Sequence, residues 1–193
     1  MRTFLRHPLV VTIVGTGIVT AVAAFLSFRY QIKAAEYERS FENYQIRLKE
    51  SSELVDHLSK KTSYRLFGLK RTLWAIKGTG TGEAEEVWND YYKSVEEWNT
   101  NLSYYHRRIL RLLGEKVASL LVNEADYFDV STVHGHFIKT HHLVRTLLDC
   151  YRNQCPEDES NLRVSEAETS ILEMNTLVDN FFKSCDALLF EKE

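Results

Sequence analysis

WNDYYKSVEEWNTNLSYYHRRILRL, residues 88–112, decides the fold. Trp88, Tyr91, Val95, Trp98, Leu102, Tyr105, Ile109 and Leu112 recur at alternating steps of three and four, and mostly polar side chains stand between them. Steps of that size bring one residue per turn to the same side of an α-helix, whereas a strand would alternate every second residue. The stripe is apolar on one face only, so it must be covered by other helices. It continues through Val117 and Leu120, and the spacing predicts a helix over about 83–122.

Upstream, Phe41, Tyr44, Leu48, Val55, Leu58, Thr62, Leu66, Leu69, Leu73 and Ile76 form a second stripe of the same period, unbroken by proline. It predicts a helix over about 29–77. Three alternating glycines, Gly78, Gly80 and Gly82, then stop it and serve as a turn. They lack the Lys-Ser/Thr ending of a phosphate-binding loop and the spacing of a dinucleotide fingerprint. Downstream, Phe128, Val133, Phe137, Val144, Leu147, Leu148 and Tyr151 predict a helix over about 126–153, with Gly135 as a local weakness. The polar segment around Pro156 is expected to be a loop. Ile171, Leu172, Met174, Val178, Phe181, Phe182, Cys185, Leu188 and Leu189 predict a last helix over about 162–190, opened by a Ser165/Glu168 capping box.

The segment before all of these, PLVVTIVGTGIVTAVAAFLSF from Pro8 to Phe28, contains no charge and is flanked by Arg6 and Arg29. As a helix it would cover ~30 Å, the thickness of a hydrocarbon core. Residues 1–7 are then a tail, 8–28 a transmembrane anchor, and 29–193 a helical bundle. The expected class is all-α, one N-terminal transmembrane helix continuing into an elongated antiparallel four-helix bundle. The run continues past the small-residue stretch Ala21-Val22-Ala23, so a retained anchor is expected over a cleaved signal peptide. Gly17 and Ala21 make a small-x3-small pair, which allows a homodimer. A short basic tail favours an extracytoplasmic bundle on a single-pass protein of the cell's inner or plasma membrane.

The net charge of −3 argues against nucleic acid as a partner. Lys60, Lys61, Arg65, Lys70, Arg71 and Lys77 form a basic run, and Glu83, Glu85, Glu86, Asp90, Glu96 and Glu97 open the next helix. An antiparallel hairpin would set Lys70 and Arg71 near Asp90, and Arg65 near Glu96, so the run is expected to pair within the fold.

His134, His136, His141 and His142 crowd nine positions, yet none of them stand three or four apart, the spacing that two ligands of one metal need on a helix. His134 and His141 share a face and are the weak metal candidates; no metal and no cofactor is expected. Cys150 and Cys155 sit where the chain leaves a helix and can close a disulfide in an oxidising compartment, while Cys185 lies on an apolar face as a buried thiol. No nucleophile motif, Cys-x2-Cys pair or haem attachment site occurs. Trp88, Trp98 and Tyr105 are the candidate contacts for a ligand or partner, against the plainer expectation that they are core.

These features point to a membrane-anchored, non-enzymatic scaffold or protein-interaction module whose partner is another protein. The alternatives are an accessory or sensor module with a small-molecule site in the bundle core, and a metal-dependent protein using the histidine cluster. The layout resembles the sensor bundles of chemoreceptors and histidine kinases, without any shared motif. Those receptors cross the membrane twice and carry an output domain, so signal transmission by this chain alone is not expected.

Overall fold

The computed structural model describes residues 8–78 and 81–190, with side chains from 16 to 78 and 82 to 189. The expected tail, the centre of the glycine link and the side chains of 8–15 lie outside the described residues. The described chain is all-helical, in the order α1 (Pro8–Gly78), α2 (Thr81–Leu112), α3 (Glu115–Leu121), α4 (Val133–Arg152) and α5 (Glu157–Phe190). No helix of the described residues is long and apolar enough to cross a membrane.

The chain divides into two compact units, Met1–Arg47 and Leu48–Glu193. In the first, every described side chain of α1 from Thr16 onward is exposed, including Tyr37 and Phe41 of the expected stripe. In the second, the stripe of α1 is buried at Leu54, Leu58, Leu66, Leu69, Leu73 and Ile76. The decisive stripe of α2 is buried there too, from Trp88 to Ile109.

Contacts set the direction of each neighbour. Glu50 meets Arg111, His57 meets Tyr105, and Lys61 meets Glu97, so α2 runs antiparallel to this part of α1. Glu85 meets Arg152 and Trp98 meets His134, which sets α4 antiparallel to α2. Lys77 reaches Glu168 and Lys70 reaches Asn175, which lays α5 antiparallel to α1. α4 packs most extensively on α5, and a buried Thr140–Ser170 hydroxyl pair at 2.8 Å joins them.

Three helix boundaries differ from the sequence expectation. The second helix ends at Leu112, because Gly114 adopts φ 93°, a conformation open to glycine and strained for other residues. The amides of Leu113 and Gly114 both reach the Ile109 carbonyl, closing α2 before α3 begins. The third expected helix begins at Val133 rather than near Asp126. Asn123, Asp126 and Asp129 each accept a backbone N–H two residues on, a chain of side-chain turns that competes with helix. The true cap is Thr132, whose Oγ1 accepts the Gly135 N–H at 3.1 Å. Gly135 is therefore a requirement of this corner: a Cβ there would stand 2.1 Å from the Asp129 carbonyl oxygen. The last helix starts at Glu157, directly after Pro156, with Glu157, Asp158 and Glu159 in its first turn. The Ser165/Glu168 pair is thus inside a helix, and Glu168 serves Lys77 instead of a cap.

Candidate functional site

Arg65 occupies α1 four residues after Lys61 and one turn before Leu69. Its position continues the buried row Leu58, Thr62, Leu69, Leu73, and it is itself only 2 % exposed. The guanidinium carbon lies 4.3 Å from the Phe137 ring centroid and 5.6 Å from that of Trp98. Nε and Nη1 are closed from solvent and have no hydrogen-bond partner. The Tyr91 hydroxyl beside the head is the group that helps to hold its charge, and burial works against that charge. Gly68 makes room for this tyrosine: a Cβ there would come 2.8 Å from Tyr91 Cδ2.

Two of the three guanidinium nitrogens are unpartnered, and the known gains only approach the cost of burial. Removing an ion from water costs several kcal/mol even after relaxation. A desolvated cation–π contact returns about 2 kcal/mol, and one neutral hydrogen bond to a charge about 1.5–3 kcal/mol. Buried arginines normally rest on a carboxylate. Here the expected carboxylate, Glu96, is exposed on another face of α2, and the expected Arg65–Glu96 pairing is not formed.

A cavity of about 420 Å³ opens beside this cation between α1, α2, α4 and the segment before α4. Arg65, Tyr92, Asn99, Ser103, Tyr127, His134 and His141 contribute its polar lining, and no carboxylate of the described residues takes part. His134 Nδ1 lies 3.2 Å from Trp98 Nε1. An indole N–H can only donate, so Nδ1 accepts and the ring proton of the neutral imidazole sits on Nε2. His141 Nδ1 is 3.2 Å from the Tyr91 hydroxyl. Burial pushes His134 down to about 4, with the Arg65 charge adding to the effect. His141 is likewise pushed down to about 4, by burial first and then by Arg65, Arg145 and His142. Both rings are neutral near neutrality, and both register the positive field of Arg65.

His134 and His141, the weak metal candidates, thus line one cavity, but both Nδ1 atoms already have hydrogen-bond partners. Among the described residues no group of three or more His, Cys, Asp or Glu could hold a metal ion. His136 faces away, bonded to the Val130 and Ser170 carbonyls. Of the candidate aromatic contacts, Trp98 is under Arg65, and Trp88 stacks on His141 with ring centroids 4.8 Å apart. Tyr105 instead lines a second cavity of about 400 Å³ with Glu53, His57, Glu97 and Arg108. Cys150 and Cys155 are joined as a disulfide, their Cα atoms 5.2 Å apart. Cys185 is buried and its thiol is pushed up to about 12 by burial.

Lys60, Lys61, Lys70 and Lys77 of the basic run are taken up by carboxylates and an amide other than those expected, Lys60 by Asp56 on its own helix. Lys61 pairs with Glu97, Lys70 donates to Asn175, and Lys77 pairs with Glu168. Asp90 pairs with Lys93 on its own helix at 2.9 Å, with a lesser influence from Arg71.

No protein family, curated protein or solved structure matches this chain.

Proposed function

We propose that this chain is a membrane-anchored, non-enzymatic helical-bundle module that binds a small molecule in the cavity beside Arg65. The observation that carries this reading is the cavity itself. Its volume falls within the range of ligand sites, and it combines an apolar wall with a few convergent polar groups and a buried cation short of a counter-ion. Among the described residues no hydrogen-bonded nucleophile–base pair lines it, which favours a binding role. The four-helix arrangement is inferred from the antiparallel contacts among α1, α2, α4 and α5. The anchor over residues 8–28 rests on the sequence run and its basic flanks. A disulfide between Cys150 and Cys155 favours an extracytoplasmic bundle, since such bonds persist in oxidising compartments.

A protein-binding role is favoured by a different observation. Tyr64, Phe67 and Trp74 stand exposed at helical spacing on α1, a stripe suited to a partner protein. The two roles are compatible, as in an accessory module that reports a ligand to a neighbour.

The test of the leading reading is tryptophan fluorescence of the full chain in detergent during a small-molecule screen. A saturable change is expected, because Trp98 touches two residues of the lining, Arg65 and His134, and Ser103→Trp should abolish it by filling the space. Signals that never saturate, or that survive Ser103→Trp unchanged, would reject the cavity as the site.

A further inference from the structure

We infer that the cavity beside Arg65 takes a small organic monocarboxylate, whose carboxylate pairs with the Arg65 guanidinium while its apolar body lies along Val95, Leu102 and Ile138. This rests on the reading of the cavity as a ligand site and specifies the chemistry of its occupant.

Charge sets the sign. Arg65 is the cation of the lining, and among the described residues no Asp or Glu lines the cavity to compete for it. A cationic ligand would meet a positive field with no anion to receive it. A neutral ligand would leave the guanidinium as undercompensated as before. An anion supplies what the fold omits.

The amount of charge sets the class. A phosphate dianion is ordinarily held by several cations or by a helix N-terminus with its free N–H groups. Here one guanidinium is joined by neutral groups: Asn99, Ser103, the Tyr92 and Tyr127 hydroxyls, and the Nε2–H of His134. One planar cation matches one planar monoanion, because two adjacent guanidinium N–H groups meet two carboxylate oxygens side by side. Nε and Nη1 are the two unpartnered nitrogens; the Nε–H shares one edge of the guanidinium with Nη2 and Nη1 shares the other, so each edge that can meet a carboxylate holds one unpartnered nitrogen. The walls decide the remainder of the ligand: Val95, Leu102 and Ile138 offer apolar surface to a hydrocarbon or aromatic body.

Nε and Nη1 are closed from solvent, so binding includes a movement. The guanidinium edge turns from the Phe137 face toward the cavity, exchanging part of its cation–π contact for a charged pair. Tyr91 and Trp98 are placed to sense that movement, and so are His134 and His141, whose rings lose a neighbouring uncompensated positive charge.

The experiment uses the full chain in detergent micelles, with benzoate, benzamide, acetate and sodium chloride at matched ionic strength. Tryptophan fluorescence gives affinities, and the Arg65 Nε–H resonance of arginine-labelled protein reports the contact. Benzoate is expected to bind saturably, benzamide at least about tenfold more weakly, the loss expected when a charged hydrogen bond is removed. Acetate should move the Arg65 Nε–H resonance where chloride does not. In Arg65→Met, benzoate should fall to the level of benzamide, with circular dichroism confirming the fold; the acid–amide comparison in the unaltered chain stands even if that variant fails to fold. Equal binding of benzoate and benzamide would overturn the carboxylate class and leave the cavity as a site for neutral ligands. If no probe gives a saturable signal and acetate leaves the Arg65 resonance where chloride puts it, both the class and the ligand reading fall.

Discussion

Lys61 and Arg65 stand one turn apart on α1, and their surroundings differ in kind. Lys61 lies on the seam between α1 and α2, a third exposed, and pairs with Glu97 across it. Arg65 lies beneath that seam against Trp98 and Phe137, with no carboxylate beside it. At the seam Lys61 has a carboxylate partner, and water would replace that partner at little cost. In the central region polar groups are few, buried and tied to rings, and one of them lacks a partner. The contrast teaches that a charge can serve register at the seam, while at the centre a buried, incompletely partnered cation adds little to stability.

The largest expected way to expose the contrast is acid. His134 and His141 are depressed to about 4 in the folded chain, against an ordinary value near 6.5 in the unfolded one. Between these values the unfolded state binds more protons, so stability is full above about pH 6.5 and falls as pH drops toward about 4. The loss attributable to the two rings is roughly 3 kcal/mol each at most. Urea unfolding of the chain should lose more stability over this window than His134→Asn/His141→Asn does, because asparagine keeps an acceptor for Trp98 and Tyr91 and does not titrate. Equal losses would mean that the rings are not held neutral.

Next in size is Gly135→Ala. The obstructing atom is a backbone carbonyl oxygen at 2.1 Å, which cannot move without opening the turn at Asp129. Thermal and urea unfolding should show a loss of about 3 kcal/mol. A neutral result would show that this corner is loosely held and that the floor of the cavity is not rigid.

The smallest effect belongs to the seam. A double-mutant cycle on Lys61→Ala and Glu97→Ala should give a coupling of about 0.2–1 kcal/mol that shrinks in high salt. A salt-resistant coupling of several kcal/mol would erase the distinction between surface and centre.

Much of the helical order was legible because periodicity is a strong signal where a stripe is covered. Trp88 to Leu112 reads as helix from its spacing alone, and the structure places α2 over Thr81–Leu112. Boundaries were less legible because local chemistry competed. Asp126 and Asp129 look like helix caps in sequence, but they spend their carboxylates on turns, and Thr132 caps instead. The cavity was half legible. Trp98, His134 and His141 stood out by residue type, yet Arg65 read as one more member of a basic run. The signal that could have separated it is register: Leu58, Thr62, Arg65, Leu69, Leu73 and Ile76 keep the three-four rhythm, so position 65 falls on the buried row. Its charge hid its address.

The most direct test of the central claim is the unfolding free energy of Arg65→Met. If Arg65 is an undercompensated buried cation retained for binding, an apolar side chain of similar length should leave stability unchanged or raise it, while acid–amide discrimination is lost. If Arg65→Met instead lowers stability by several kcal/mol, the cation is a structural support of the Trp98–Phe137 centre, and the claim that the fold leaves its charge short of compensation is contradicted.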